Sequence, residues 1–398
     1  MSGGLISIEE ALARLFALCP VLAAETVDLR AAADRVLAAP VVARLTQPPF
    51  AASAMDGYAI RERDHRAGAV LTVVGESAAG RGFGGAVTDG NAVRIFTGAP
   101  VPEGAERVVL QEDVTREGAR ITLGNRLESG ANIRPAGQDF RAGDRIEAPR
   151  RLRAADLGLI AAMNQPQVQV TRRPVVALIA TGDELVMPGE VPGPDQIVAS
   201  NSFALAAMAE AEGAEVRLLP IARDSEESLR SLLTLAADAD LIVTIGGASV
   251  GDHDLVGKVA GDMGLERAFW KIAMRPGKPL MAGRIAGSVL LGLPGNPVSS
   301  IVCGHLFMLP MLRAMQGLPQ GPAPRATARL AEDLPANGPR EHYMRATLDR
   351  TAAMPVIRPF DRQDSALLSI LTRADALLVR PAGDGPVAAG TEVGYVPI

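Results

Sequence analysis

The chain has 398 residues, more than one ordinary domain holds, which predicts two to four domains. Hydrophobic residues make up 48% of the chain and charged residues 21%, as in globular proteins with sizeable cores. The net charge of −5 excludes a broad positive surface, so we expect no nucleic-acid partner. The two cysteines lack metal-ligand spacing, and the first residues lack the basic stretch of a signal peptide. We find no apolar run long enough to span a bilayer. These features predict a cytoplasmic protein with no membrane association.

The first 46 residues read as helical. Ser7 and Glu10 form a capping box, after which apolar residues at helical spacing predict a helix to about Cys19. A second helix is predicted near Leu29–Leu37.

Residues 50–147 have a different sequence pattern, in which short β-rich runs are separated by turns that contain Gly, Pro and Asp. This pattern predicts an all-β insertion, and the runs are Val70–Val74, Ala92–Phe96, Arg107–Leu110 and Arg120–Leu123. Residues 151–163 return to a helical pattern.

From residue 174 onward strands and helices alternate, which predicts a doubly wound α/β domain. Its predicted strands are Val175–Ala180, Val216–Leu219, Leu241–Ile245 and Ser288–Leu291, and its helices are Phe203–Glu212, 225–237 and Val298–Met315. A Gly/Pro linker at 317–324 precedes a last β-rich segment. We read that segment as a small barrel or sandwich, with strands at Ala326–Leu330, His342–Leu348, Leu377–Arg380 and Glu392–Val396.

Lysine is rare and clustered. Of 40 basic residues only three are lysine, and all lie in one 21-residue window: Lys258, Lys271 and Lys278. Ammonium and guanidinium groups differ in reach and geometry, so this window is either a functional site or a solvated basic face.

Three glycine-rich or turn segments follow predicted strands and meet at the carboxyl edge of the sheet, where open α/β sheets bind ligands. They are Thr181–Glu184, Thr244–Gly251 and Leu290–Pro297. In the third, Asn296 can cap a helix and Pro297 can be its first residue, which predicts free N–H groups for an anion. For any one loop alone a tight turn explains the glycines better, but three beside the lysine window favour a binding site.

Carboxylates follow the same strands, and oxygen ligands on loops suit Mg²⁺ bound with phosphates. They are Asp183, Glu184, Asp224, Asp252 and Asp254. A turn or capping role accounts equally well for Asp183 and Asp252.

Seven motifs in order resemble the molybdopterin molybdenumtransferase family, the MoeA type that also includes the E domain of gephyrin. The motifs are SAMDGYA (53–59), FTGAPVPEGAERVVLQED (96–113), NIRPAGQDFRAGD (132–144), TGDEL (181–185), IGGASVGDHD (245–254), WKIAMRPGKP (270–279) and GLPGNPVS (292–299).

The resemblance implies an α/β multidomain chain. An elongated helical domain (1–46 and 145–172) carries a β-rich insertion (47–144), and a doubly wound α/β domain that binds molybdopterin (173–318) and a C-terminal β-barrel (322–398) follow. It also implies a homodimer whose active site is shared between subunits. The implied reaction uses adenylylated molybdopterin and molybdate, releases AMP and is assisted by Mg²⁺.

The resemblance also implies site residues. Catalytic roles fall on Asp56, Thr97, Asp139, Glu184, Asp224, Asp254, Lys271, Arg275 and Lys278. Metal ligands are Asp56, Glu184, Asp224 and Asp254. Substrate-binding roles fall on Gly246, Gly247, Ser249, Gly251, Pro294, Gly295, Asn296 and Pro297, with looser matches at Arg345 and Ser365.

The chain departs from the family pattern at two places. Ala51-Ala52 stands where Asp-Asn is usual, and Arg275 replaces a usual lysine. Two alternative functions remain: the preceding adenylylation step, against which the insertion and barrel argue, and a gephyrin-like peptide-binding scaffold.

The lysine cluster yields a prediction. If Lys271 needs a compact point charge and position 275 accepts either cation, Lys271→Arg lowers molybdenum insertion by more than Arg275→Lys does. Steady-state rates of the two purified variants measure this. Equal and small effects would show that the cluster is only a solvated basic face.

Overall fold

The computed structural model describes residues 5–247 and 255–398. Helix α1 (Ile8–Leu18) begins as predicted, with the Ser7 hydroxyl accepting a hydrogen bond from the Glu10 N–H at 3.1 Å. Its apolar stripe, including Leu12 and Leu15, packs into the core of the α/β domain.

The second predicted helix is wrong. A single 3-10 turn covers Leu29–Ala31, and Val36–Leu37 is a strand. Between them Asp34 has φ of 60°, in the left-handed region that a continuing helix does not allow. The strands of this stretch are β1 (Ala24–Asp28), β2 (Val36–Leu37) and β3 (Val41–Val42).

The insertion is all-β, as the sequence predicts, and its main sheet has the order β8-β5-β7-β6-β10-β9. Its strands are β4 (Ala52–Ser53), β5 (Gly57–Ile60), β6 (Val70–Ser77), β7 (Asn91–Ile95), β8 (Arg107–Leu110), β9 (Val114–Glu117), β10 (Arg120–Leu123) and β11 (Ile133–Arg134).

After the insertion, the chain forms strands that pair with the N-terminal strands β1 and β2. A four-stranded sheet of order β1-β14-β2-β13 has helix α2 packed on it through Ile160. This region therefore contains a sheet as well as the predicted helix. Its elements are β12 (Arg145–Ile146), β13 (Arg150–Arg151), α2 (Ala154–Ala162) and β14 (Gln167–Thr171).

The α/β domain has a six-stranded sheet of order β18-β15-β19-β23-β22-β20. The first four strands are parallel, and β22 and β20 are antiparallel additions at one edge. Its elements are β15 (Val175–Ala180), β16 (Leu185–Val186), β17 (Ile197–Val198), α3 (Asn201–Ala211), β18 (Glu215–Leu218), α4 (Glu226–Leu235), β19 (Leu241–Ile245), α5 (Leu255–Asp262), β20 (Glu266–Trp270), β21 (Met274–Arg275), β22 (Met281–Ile285), β23 (Ser288–Leu293), α6 (Pro297–Cys303) and α7 (Leu309–Met315).

Helices cover both faces of this sheet. Along β15, Val176 and Leu178 enter one core with α1, α3, α6 and α7, while Ala177 and Ile179 enter the other with α4 and α5. A strand buried on both faces needs a continuous apolar run, which is what the sequence shows here.

Helices α6 and α7 join through a π-helical turn at Gly304–Met308. Contrary to the sequence reading, the combined segment Pro297–Met315 is long and apolar enough to cross a membrane by length and composition. In the structure 83% of the most apolar part of this segment is buried inside the protein. A buried core helix of a soluble domain can have the same length and apolar composition as a membrane-spanning helix.

The C-terminal segment is a closed five-stranded barrel, which confirms one of the two predicted forms. Its strands follow the order β25-β26-β24-β28-β27 and return to β25, and β21 of the α/β domain pairs in parallel with β25. Its elements are β24 (Ala326–Leu330), β25 (Glu341–Asp349), β26 (Val356–Pro359), α8 (Leu368–Leu371), β27 (Ala376–Arg380) and β28 (Glu392–Pro397).

Candidate active site at the carboxyl edge of the sheet

A cavity of about 550 Å³ opens where β15, β19 and β23 end. Its size is typical of sites that hold a small organic ligand. The structure brings seven of the predicted residues to its wall: Glu184, Gly246, Gly247, Pro294, Gly295, Asn296 and Pro297. The predicted Ser249, Gly251, Asp252 and Asp254 lie outside the described residues.

Two of the cavity glycines are required by the backbone itself. Gly246 and Gly247 have φ of +94° and +64°, and a Cβ on Gly246 would lie 2.9 Å from the Thr181 carbonyl oxygen. The tight-turn explanation therefore accounts for both. Gly295 is different, because its φ is ordinary and the nearest atom to an added Cβ would be at 3.5 Å. A glycine that the fold does not need leaves backbone exposed to the cavity, which a close-fitting ligand would use.

Glu184 lies against the backbone at the end of β15. A Cβ on Gly182 would come within 2.1 Å of the Glu184 carboxylate, so the carboxylate rests directly over this glycine. The next loop is tied to the same place, because the Asp224 N–H donates to the Asp183 carboxylate at 3.2 Å. The structure thus groups Asp183, Glu184 and Asp224 at one edge.

The start of α6 differs from the sequence expectation. Asn296 is the N-cap residue and Pro297 follows it, as predicted, but the Asn296 side chain caps no helix N–H. It donates to the Ser365 hydroxyl at 3.1 Å, and the Val298 N–H donates to the Ser365 carbonyl at 3.0 Å. The prediction of free N–H groups is therefore wrong for Val298, because the C-terminal barrel supplies its acceptor.

Arg345 explains how Ser365 reaches the cavity. This residue is only 1% exposed on β25, and its guanidinium donates to the Asp364 carbonyl at 2.8 Å and to the side-chain oxygen of Gln363 at 3.3 Å. These bonds fix the loop that carries Ser365, and Ala366 of that loop lines the cavity.

The three lysines separate into two kinds. Lys258 is ion-paired with Glu226 on the neighbouring helix. Lys271 and Lys278 belong to the segment between β20 and β22, whose Pro279 lines the cavity. Between them Arg275 is exposed on β21 and is paired in register with His342 of the barrel. Of this segment only Pro279 is part of the cavity wall, and the three predicted cations are not among the lining residues.

The positive charge of Arg275 affects the pKa of the neighbouring His342. Burial, and after it the positive charges of Arg275 and Arg345, together lower the pKa of His342 to about 4. His342 is therefore neutral at neutral pH and adds no positive charge to that of Arg275 and Arg345.

Asp56 and Thr97 meet in the insertion rather than at the cavity. The Thr97 N–H and hydroxyl donate to the Asp56 carboxylate at 2.7 and 2.8 Å. These two bonds, the backbone one first, hold the pKa of Asp56 below its usual range. The cavity described above is lined only by residues 180–366, so this pair forms a second group within the chain.

The other predicted acid of the insertion, Asp139, is exposed, and its backbone N–H donates to the Gln47 carbonyl. Among the described residues no three His, Cys, Asp or Glu side chains converge closely enough to hold a metal ion. Asp56 stands apart from Glu184 and Asp224, and Asp254 is outside the described ranges. The described residues of one chain therefore do not by themselves form the predicted Mg²⁺ site.

Three residues that the sequence analysis did not single out also belong to these groups. Asn201 donates to the Gly295 carbonyl at 2.7 Å and lines the cavity. Arg94 lies 4.7 Å over the Phe96 ring and donates to the Gly57 carbonyl beside Asp56. Trp270, the only tryptophan, carries the Lys271 ammonium 4.2 Å from its ring centre.

Comparison with known proteins decides the family. Residues 6–164 match the MoeA N-terminal region (domain I and II), residues 177–314 a probable molybdopterin binding domain, and residues 327–398 the MoeA C-terminal region (domain IV). A molybdopterin molybdenumtransferase of a Nostoc species is 37% identical over 93% of this chain and 87% of its own length. The chain belongs to the molybdopterin molybdenumtransferase family.

Further relatives agree. Molybdopterin molybdenumtransferase 2 of Mycobacterium tuberculosis is 37% identical over 92% of this chain and 93% of its own length. The crystal structure of the molybdopterin biosynthesis MoeA protein from Pyrococcus horikoshii superposes with a TM-score of 0.85 at 28% identity, covering 99% of this chain and 100% of that one. The chain is thus a transferase of molybdenum-cofactor biosynthesis, which confirms the resemblance drawn from its motifs.

The contact between Asp56 and Thr97 yields a prediction. Thr97→Val removes the hydroxyl and keeps the backbone N–H, so the pKa of Asp56 rises toward its usual value without reaching it. A carboxyl-carbon NMR titration measures the change. Asp349, whose pKa is lowered in the same way by Thr351, is the matched control and stays where it is. An unchanged Asp56 titration in a folded Thr97→Val variant contradicts the assignment.

Proposed function

We propose that this chain inserts molybdenum from molybdate into adenylylated molybdopterin and releases AMP. The observation that carries the proposal is the cavity between the glycine turns at 246–247 and 294–297, whose wall includes Pro279 of the segment that contains Lys271, Arg275 and Lys278. A pterin with a phosphate tail needs both features: room with exposed backbone, and positive charge. The family supplies the reaction class, and the relatives' names support molybdenum transfer.

The cations suit the two anionic groups of this reaction. Molybdate is a dianion, and cleavage of the phosphoanhydride leaves charge on AMP and on the pterin phosphate. We assign molybdate to Lys271, Arg275 and Lys278, and we assign Ser365, on the Arg345-held loop at the start of α6, to the same substrate site. During insertion, the two dithiolene sulfurs bind molybdenum as thiolates, and one oxo ligand of molybdate leaves as water with the two thiol protons.

The carboxylates need a different role, since they repel both substrates. We assign Glu184 and Asp224, with Asp254 outside the described residues, to a divalent cation that enters with the phosphates, and Mg²⁺ is the first to test. Ser249, Gly251 and Asp139 keep their predicted roles as proposals. We also propose that the protein works in the cytoplasm.

We further propose a homodimer whose active site combines the cavity of one subunit with Asp56 and Thr97 of the other. Two surfaces support this. The cavity rim carries apolar side chains, with Ile197 61% and Val198 41% exposed. In the insertion Met55, next to Asp56, is 44% exposed. Apolar surface at both places suits mutual burial across a two-fold interface.

The reaction itself is tested by incubating the purified chain with adenylylated molybdopterin. Molybdate together with Mg²⁺ should stimulate AMP release, measured by chromatography, and yield cofactor that activates a molybdenum-dependent apoenzyme. Asp56→Asn should lower both by about a hundredfold, the scale of losing one charge contact in an active site. Glu117→Gln, an exposed change in the same insertion, is the matched control. Near-normal turnover by folded Asp56→Asn removes Asp56 from the site.

The shared site is tested with a mixed dimer. One chain carries Asp56→Ala and the other Glu184→Ala, and each homodimer is inactive. In the heterodimer one site collects both defects and the other collects neither, so activity returns to about half of the wild-type value per dimer. A doubly tagged, purified heterodimer is assayed for molybdenum insertion. Absence of activity in a verified, folded heterodimer would falsify the shared site and leave a site built within one chain.

A further inference from the structure

Trp270 and Lys271 adopt an arrangement that a regular strand forbids. Successive side chains of a strand point to opposite faces, yet the Lys271 Nζ lies 4.2 Å from the centre of the preceding Trp270 ring. The chain achieves this at Lys271 itself, whose φ is +74°. Left-handed conformations are unfavourable for a lysine, and such residues persist where the surroundings hold them.

The surroundings hold the Lys271 backbone on both sides. Its N–H donates to the Leu280 carbonyl at 2.9 Å, and its carbonyl accepts from the Ile6 N–H at 3.5 Å. Leu280 directly follows Pro279, which lines the cavity. The backbone is therefore fixed beside the cavity, and the four-carbon side chain is the part whose position the ring controls.

The choice of tryptophan has a cost that phenylalanine would avoid. The Trp270 Nε1 atom is buried and has no hydrogen-bond partner among the described residues. A buried N–H without a partner is unfavourable. The indole face is the ring surface that attracts a cation most strongly, which gives tryptophan an advantage over phenylalanine at this position. The Arg267 guanidinium, 5.5 Å from the same ring, adds a second cation.

We propose that Trp270 is a positioning residue that preorganises the Lys271 ammonium for an oxyanion dianion of the molybdate type. The ring restricts the ammonium to one place, and its remaining N–H donors face the incoming anion. A flexible lysine side chain loses conformational entropy when it binds a ligand. The contact with the ring already restricts the side chain before binding, so less entropy is lost when the anion binds. The role in catalysis rests on the proposed function, whereas the contact itself does not.

The first test uses fluorescence, because the chain has a single tryptophan. Without any ligand, Lys271→Met should change the emission of Trp270, and Lys278→Met, an exposed cation of the same segment, should leave it unchanged. Sodium molybdate should change the wild-type emission in a saturable way and have no such effect on Lys271→Met. An unchanged emission spectrum in ligand-free Lys271→Met overturns the contact.

The second test separates charge attraction from packing. Trp270→Leu should raise the KM for molybdate by between about twofold and thirtyfold, the range of a cation–π contact, while kcat changes less. Trp270→Phe keeps an aromatic face and should lie between wild type and Trp270→Leu. Equal KM values for the Phe and Leu variants, with thermal unfolding of both like that of the wild type, overturn the positioning role.

The two proposals fail in different ways. If the wild-type chain releases no AMP under any condition, the proposed reaction is wrong, and the ligand-free emission and the direct molybdate titration still decide whether Trp270 holds Lys271 for a dianion. If the reaction proceeds and Trp270→Leu behaves as wild type in both KM and molybdate titration, the reaction stands and the positioning role falls.

Discussion

The whole site depends on three parallel strands, β15, β19 and β23, that are buried on both faces. Because β15 and β19 send alternate side chains into two separate apolar cores, neither strand can slip by one residue without exchanging the two layers. Their register fixes where the strands end. The loops after β15, β19 and β23 must therefore leave the sheet side by side, and the cavity at that edge is the direct result.

The C-terminal barrel contributes to this edge in two ways. Its strand β25 pairs with β21, so the cationic segment forms part of the barrel's sheet as well as part of the α/β domain. From the same strand Arg345 holds the loop whose Ser365 accepts the Val298 N–H. One strand thus positions both Arg275 and the loop whose Ala366 lines the cavity, so the barrel is a component of the candidate site.

The sequence predicted some elements to the residue and missed others for physical reasons. Val175–Ala180 and Leu241–Ile245 were found because a doubly buried strand is a continuous apolar run with clear ends. Strand β22 was missed, since its short run contains Gly283, whose missing side chain lets the β20 backbone approach. The helix predicted over Leu29–Leu37 failed at Asp34, a residue whose left-handed conformation helical periodicity does not reveal.

The candidate site likewise contains features that the sequence could predict and features that it could not. Glycine turns and acids after strands could be predicted, because they depend on residues close together in the chain. The partner of the α6 start could not, since Ser365 is 69 residues away from Asn296. The burial of Arg345 and the ring beside Lys271 likewise depend on tertiary packing, although a single tryptophan next to a rare lysine was a signal that could have been used.

Charge at this edge is separated by the fold. Acids lie on the loops after β15 and β18, and cations lie on the segment between β20 and β22, across the parallel strands. Neither group neutralises the other by direct contact: Lys258, on α5, is the lysine paired with an acid among the described residues, and Lys271 is held by a ring instead. An ion pair would have fixed the ammonium but taken up its charge, whereas an aromatic face fixes it and leaves the charge available for a dianion.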